Sequence, residues 1–257
     1  MSKVIKKYIS NYEIYKALVA IKYNFWQINW AKTIWFNCKA LPIKQAVHLP
    51  FVIAYNVKIK SIGKIIINGI VHPGMVSLGV IKINSWESNS DKLFFSNYGI
   101  LEINGRMKIH PGAKVVISPK AKITCGARTS IGCMTKVICR CGIEIGNDFQ
   151  ISWDGQIFDT DFHFLQNTLT DKIYNRNKTV KIGDNVFIGN SCTIGKGTIL
   201  PTGSVVSCCS KVSGDYSGEG ENLLISGNPA KIIKKGVQMG NGWFPEKEKE
   251  IALLLGE

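Results

Sequence analysis

The sequence predicts an all-β solenoid, a parallel β-helix wound from short strands around one core. Two observations carry that reading. In KIGDNVFIGNSCTIGKGTIL, residues 181–200, an aliphatic residue precedes Gly at Ile182, Ile188 and Ile194, and the beat of six continues through Leu200, Val206 and Val212. Six fits neither the 3.6-residue period of a helix nor the two-residue alternation of a strand. Hexapeptide repeats instead specify a parallel β-helix. The second observation is that the positions two before the inward residues, Val186, Cys192, Thr198, Ser204 and Ser210, are all small or β-branched. Only slim side chains fit inside a corner of the coil. Three hexads make one triangular coil, the Gly after each inward residue is expected to ease the bend, and stacked coils bury the core that one coil lacks.

The elements follow in chain order. Residues 12–30 read as a helix, with Ile14, Leu18, Ile21, Phe25 and Ile28 on one stripe. Lys32 falls on the same stripe, so the helix is expected to end or turn before it. Residues 57–110 are β-rich and Gly-punctuated without a clean frame, the style of early, irregular coils. From about 110 the frame loosely holds through Ile117, Ile123, Ile131 and Val137, with two-residue slips read as corner bulges, and then runs through Ile145, Ile151 and Ile157. Between His163 and Thr179 the pattern stops in the polar stretch HFLQNTLTDKIYNRNKT. A polar insertion in a regular solenoid marks a functional loop. The tail PEKEKEIALLLGE reads as a short amphipathic helix with Pro245 near its start. The expected organisation is an N-terminal helical, basic and aromatic module over 1–56, a β-helix over 57–235 with regular coils over about 110–215 and an inserted loop over 164–179, and a tail with a helix over 236–257.

The bulk properties narrow the function. A chain of 257 residues with 45% hydrophobic residues can build a real core. No secretory leader is expected, because lysines interrupt the apolar residues after Met1. The longest uncharged run, Ile65 to Ile81, carries Asn68, His72 and Pro73 and makes a poor membrane span. A cytoplasmic location is expected, with peripheral contact at the inner membrane face left open. Eight cysteines are spread through a chain too long to need disulfide staples and read as reduced thiols filling small spaces. The net charge of +14 points to anionic partners such as a phosphorylated cofactor, an acidic glycan or a lipid surface. Nucleic acid is not expected, since no nucleic-acid motif accompanies the charge.

Three stretches, the hexad run 180–212, ISWDGQIFDTDFH at 151–163 and SGNPAKIIKK at 226–235, resemble the hexapeptide-repeat acyltransferases. Closest in style are the bacterial O-acetyltransferases that modify sugars and surface polysaccharides. The resemblance covers roughly residues 110–235. It implies a left-handed β-helix, a homotrimer, and acetyl-CoA lying between neighbouring coils of two subunits. It also implies a histidine base at the edge of that groove, which DTDFH places at His163. The chemistry agrees, because a sugar hydroxyl attacking a thioester needs a proton acceptor that titrates near working pH. Asp161 or Asp159 would hold the imidazole, Asp161 being preferred; both residue types also form turns. Asp159 and Trp153 are candidates for the acceptor side, Trp153 as a flat wall for a sugar ring or as packing at the trimer seam.

For the donor, the resemblance carries over to Asn190, Cys208, Ser213 and Lys234. Lys234 would meet the nucleotide phosphates as a point charge, with Lys231 and Lys235 as neighbours of the same kind. Phe187 and Pro201 stand where the family often has Trp and Gly. No metal is expected: His48, His72 and His110 form no close pair of the kind that zinc-binding members need. Direct transfer without an acyl-enzyme follows, since none of the cysteines has an obvious adjacent base. The reading is acetyl transfer from acetyl-CoA to a hydroxyl of a capsular, O-antigen or other surface saccharide. The alternatives are N-acetylation of a free or nucleotide-linked amino sugar, and a non-catalytic β-helix scaffold. Residues 1–50, with eight lysines, one glutamate and tryptophans at 26, 30 and 35, would either meet an anionic membrane or cap the first coil.

Overall fold

The computed structural model describes residues 14, 15, 17–80 and 91–239. Among these residues the chain winds through three faces in turn, forming three sheets of stacked parallel strands that run along one axis. The first face starts at Phe51–Ile53 and passes through Val76–Leu78, Met107–Ile109 and later strands to Val205–Val206 and Leu223–Gly227. The second runs from Val57–Ser61 to Lys211–Val212, and the third from Lys64–Ile67 to Ile199–Leu200. Stacking therefore begins at Phe51, with Phe51–Ile53 paired to Val76–Leu78.

Parallel register puts like residues above one another, and their side chains fill the prism. On the first face Ile53, Leu78, Ile109, Ile131, Ile151, Ile188, Val206 and Ile225 form one inward column, none more than 1% exposed. Each of the predicted inward residues is buried, and so are the slim corner residues Val186, Cys192, Thr198, Ser204 and Ser210. One core then extends from Phe36 to Ile225.

Coil length explains where the frame is clean. Ile188 stacks on Val206, 18 residues later, but Ile131 stacks on Ile151, 20 later, and Ile109 on Ile131, 22 later. The extra residues are not corner bulges. They lengthen the faces: Lys136–Cys139 and Gly142–Ile145 are four-residue strands that each bury two alternate side chains. The glycines also differ from expectation. The left-handed corner residues lie three after the inward ones, at Asn185, Ser191, Gly197, Gly203 and Cys209. Gly183 and Gly189 are needed for close approach instead, because a Cβ there would sit 2.6 Å from the Thr202 nitrogen or 2.7 Å from the Cys208 nitrogen.

The N-terminal module covers the first coil. Residues 17–23 are helical; the chain then turns through Phe25–Gln27 into the helix α1, Trp30–Ala40. The expected single helix over 12–30 thus breaks early, and its stripe is rotated: Ala17 and Ile28 are buried while Leu18 and Phe25 are exposed. Asn29 caps α1 by accepting from the Lys32 N–H. The Phe36 ring packs on Phe51 with centroids 4.9 Å apart and on Phe95 at 6.1 Å. The buried Asn37 side chain donates to the Phe51 carbonyl at 2.9 Å and accepts from its N–H at 3.0 Å, while the Ile53 N–H donates to the Thr33 hydroxyl. Side chains of a helix thereby satisfy the strand side that no earlier coil covers. At the other end Leu223–Gly227 turns back antiparallel as Ala230–Lys235. The amphipathic helix expected over 245–257 lies outside the described residues.

Candidate active site

The insertion leaves the coil where the second face meets the third. Asp159 marks the exit. Its side chain is fully buried, and its carboxylate accepts from the N–H groups of Arg140, Cys141 and Gly142, each at 2.7 Å. The Cys139 thiol donates to the same carboxylate at 3.3 Å. Burial, and secondarily the charge of Asp159, push that thiol far above its usual range. Asp159 was expected to contact substrate or to hold the base; with its oxygens occupied by the preceding coil, it clamps the corner instead.

Beyond Asp159 the backbone forms two legs. Thr160 bridges Asn177, the Asp161 N–H donates to the Arg176 carbonyl at 2.8 Å, and the Lys178 N–H returns to the Asp159 carbonyl at 2.9 Å. Leu165–Gln166 and Ile173–Tyr174 close the loop as a small antiparallel hairpin. The Arg176 guanidinium lies 4.5 Å from the centre of the Phe164 ring.

His163 stands at the root of this hairpin. Its backbone N–H donates to the Asp161 carbonyl at 2.8 Å, closing a tight turn at Phe162. Phe162 has φ of 64°, a conformation that a bulky side chain rarely adopts. Its N–H donates to the Thr160 hydroxyl and its ring meets Phe158 edge-on at 5.6 Å. The turn presents the His163 imidazole to solvent, with no hydrogen bond to its ring among the described residues.

Asp161, expected to orient that ring, pairs with Lys196 of the next coil, and the Lys196 ammonium also donates to the Asn175 carbonyl at 2.7 Å. Lys196 was not singled out in the sequence. It lies 35 residues from Asp161, and its only signal is its slot two after the inward Ile194, the slot that Asp159 fills after Ile157.

The donor candidates divide. Trp153, Asn190 and Cys208 each lie two residues after stacked inward residues, Ile151, Ile188 and Val206, and so form a column where the first face meets the second. The Ser191 N–H donates to the Trp153 carbonyl, and the Cys209 N–H to the Asn190 carbonyl, both at 3.0 Å. Trp153 is 44% exposed and Cys208 is exposed. Among the described residues the N–H groups of Asn190 and Cys208 have no protein acceptor. That surface suits an extended ligand carrying amides. Ser213 lies at the opposite border of the second face, beside Gly195. Lys234 pairs opposite Leu224, whereas Lys231 pairs opposite Ser226, closer to where the column ends at Gly227. The sequence grouped Asn190, Cys208, Ser213 and Lys234 for the donor and set Trp153 on the acceptor side; the structure brings Trp153 into one column with Asn190 and Cys208, away from Ser213, with Lys231 the nearer lysine of the tail.

No protein-family model matches the chain. It is 34% identical over 181 residues to an uncharacterized 24.8 kDa protein in the cps region of Klebsiella pneumoniae, a match spanning 70% of this chain and 77% of that one. It is 46% identical over 56 residues to the putative lipopolysaccharide biosynthesis O-acetyl transferase WbbJ of Escherichia coli (strain K12), which covers 22% of this chain and 27% of that protein. Among solved structures it resembles the polySia-specific acetyltransferase NeuO, with a TM-score of 0.53 at 22% identity over 79% of this chain and 87% of the other. At that identity the likeness is one of fold.

Proposed function

We propose that this chain, whose fold is like that of the acetyltransferase NeuO, is a hexapeptide-repeat acyltransferase that moves an acetyl group from acetyl-CoA to a saccharide hydroxyl. The observation that carries the proposal is His163. Its imidazole projects from a strained turn at the mouth of the insertion, and its ring has no hydrogen-bond partner among the described residues. A histidine kept for packing is normally satisfied; a general base must be accessible.

His163 would take the proton of the acceptor hydroxyl as that oxygen attacks the thioester carbonyl. The carbon–sulfur bond then breaks, and the thiolate leaves with the proton, so no enzyme side chain is acylated. Asp161, through its carbonyl, and Lys196, through both legs of the insertion, set the position of the imidazole. The column Trp153, Asn190 and Cys208 would receive the pantetheine arm, with Lys231 and Lys234 facing its phosphates. Acetyl-CoA supplies the activated acyl carbon.

Two wider readings belong to the same proposal. The column and the His163 corner sit at opposite borders of one face, so a complete site needs a second subunit, and a homotrimer supplies it. The exposed Trp26, Trp35 and Tyr23, together with the lysines of residues 1–50, suit the surface of an anionic membrane; no helix among the described residues is long and apolar enough to cross one. Free-thiol release from acetyl-CoA in the presence of a panel of glycans and amino sugars tests the central claim. Release with no saccharide acceptor would end it, and release only with an amine acceptor would favour N-acetylation.

A further inference from the structure

The three outer faces of the β-helix differ in charge. On the third face the outward residues pair with one another: Lys122 with Glu102 at 2.6 Å and Lys181 with Glu144 at 3.3 Å. The outward row of the first face is largely neutral, and the N-terminal helical segment covers its start: Ala17, Ile21 and Ile28 share a small cavity with Val52 and Ser77. The second face is unlike both. Its register aligns Lys58, Lys114, Lys136 and Lys211 in a single row, and the positions between them are neutral. Among the described residues none of these four lysines pairs with a carboxylate. Lys58, Lys114 and Lys211 are exposed and Lys136 is half-buried.

The geometry of the row is linear. Six rungs of about 4.8 Å carry it over about 29 Å from Lys58 to Lys211. Between the lysines and the corner that bears His163 lies a second outward row, Val116, Ile138 and Phe158, and Phe158 touches Phe162, the residue before the base. A cationic row, an apolar row and the base thus follow one another across the face. Lys114 and Lys136 are directly opposite on adjacent strands, where like charges repel, so this pair costs the fold stability that an anionic occupant would restore. A membrane presents a plane and would select a broad patch. A single file suits a chain.

We propose that the second face is a binding track for an anionic polysaccharide, which holds the polymer while one of its hydroxyls reaches His163. The acceptor class is then a chain with a carboxylate or phosphate on its repeating unit. This rests on the saccharide-acceptor reading, and a binding assay that needs no turnover separates the two.

The test uses full-length protein and polysialic acid as probe, with dextran as the uncharged polymer and anionic phospholipid vesicles as the alternative surface. The K114Q/K136Q/K211Q variant should bind polysialic acid roughly tenfold more weakly than wild type, as expected for three lost exposed ion pairs. Its thermal unfolding should be unchanged or raised. Added salt should weaken the wild type more than the variant. A control variant with the same charge change away from this face and its His163 corner, K39Q/K44Q/K64Q, should bind like wild type. Equal losses in both variants would show an effect of net charge alone and overturn the track. So would dextran binding as tightly as polysialic acid, or vesicles that depend on the same lysines more strongly than the glycan does. Normal binding without thiol release would leave the track standing and sink the acetyl-transfer reading.

Discussion

The Lys196 ammonium lies against the Asp161 carboxylate and donates to the Asn175 carbonyl, so one side chain of the following coil holds both legs of the insertion that carries His163. Both groups are partly exposed, and the ion pair alone contributes little to stability. Its role is positional. Lys196→Met should therefore lower turnover roughly tenfold, since loss of orientation at a base is costly, while the unfolding temperature hardly moves. Limited proteolysis within 160–178 should accelerate, and Lys196→Arg should restore part of the rate. Wild-type turnover in the Met variant would remove Lys196 from the site.

His163→Ala should lower turnover by roughly 10²–10⁴, the usual contribution of a positioned base. The side chain is exposed, so stability should be unchanged. Full activity on the true acceptor would show that another group takes the proton.

Asp159→Ala should act in the opposite way. It leaves the N–H groups of Arg140, Cys141 and Gly142 without their acceptor in a buried corner, at a cost of roughly 3 kcal/mol. Denaturant unfolding measures it. A loss of activity without a loss of stability would return Asp159 to the catalytic or substrate role.

Thiol chemistry tests whether the column of Trp153, Asn190 and Cys208 takes the donor. Burial holds the Cys125 thiol protonated by pushing it up to about 12, so at pH 8 it stays unreactive along with buried Cys139. The exposed Cys38, Cys208 and Cys209 should alkylate. Coenzyme A should protect Cys208 and leave Cys38 reactive, as read by mass spectrometry of the peptides. Equal labelling of Cys208 with and without coenzyme A would move the donor elsewhere.

What the sequence showed, and what it hid, follows from coil length. Between Ile182 and Val212 each face holds one inward residue, and the period of six is plain. Where Val137 and Cys139 share a face, or Ile143 and Ile145, the beat drifts although the packing rule is the same. The helix α1 has no simple apolar stripe because its inward side chains include Thr33 and Asn37, chosen for hydrogen bonds to a strand rather than for apolarity. His163 could be proposed from the sequence because the DTDFH stretch carried it. The functions of its two neighbours could not. Asp159 meets residues of the previous coil and Lys196 meets residues of an earlier one, and such vertical contacts have no fixed spacing along the chain.

The two ends of the rod have a consequence for its growth. A stack of parallel coils with bare ends would accept another copy at either end and lengthen into a filament. Here Asn37 and Thr33 occupy the hydrogen-bonding positions at the first coil, and at the last Ala230–Lys235 runs backwards, offering an incoming parallel coil the wrong direction. The strand that brings Lys231 towards the column of Trp153, Asn190 and Cys208 therefore also blocks parallel stacking on the first face. Removing it should bare the edge of Leu223–Gly227 and favour end-to-end association, as read by sedimentation.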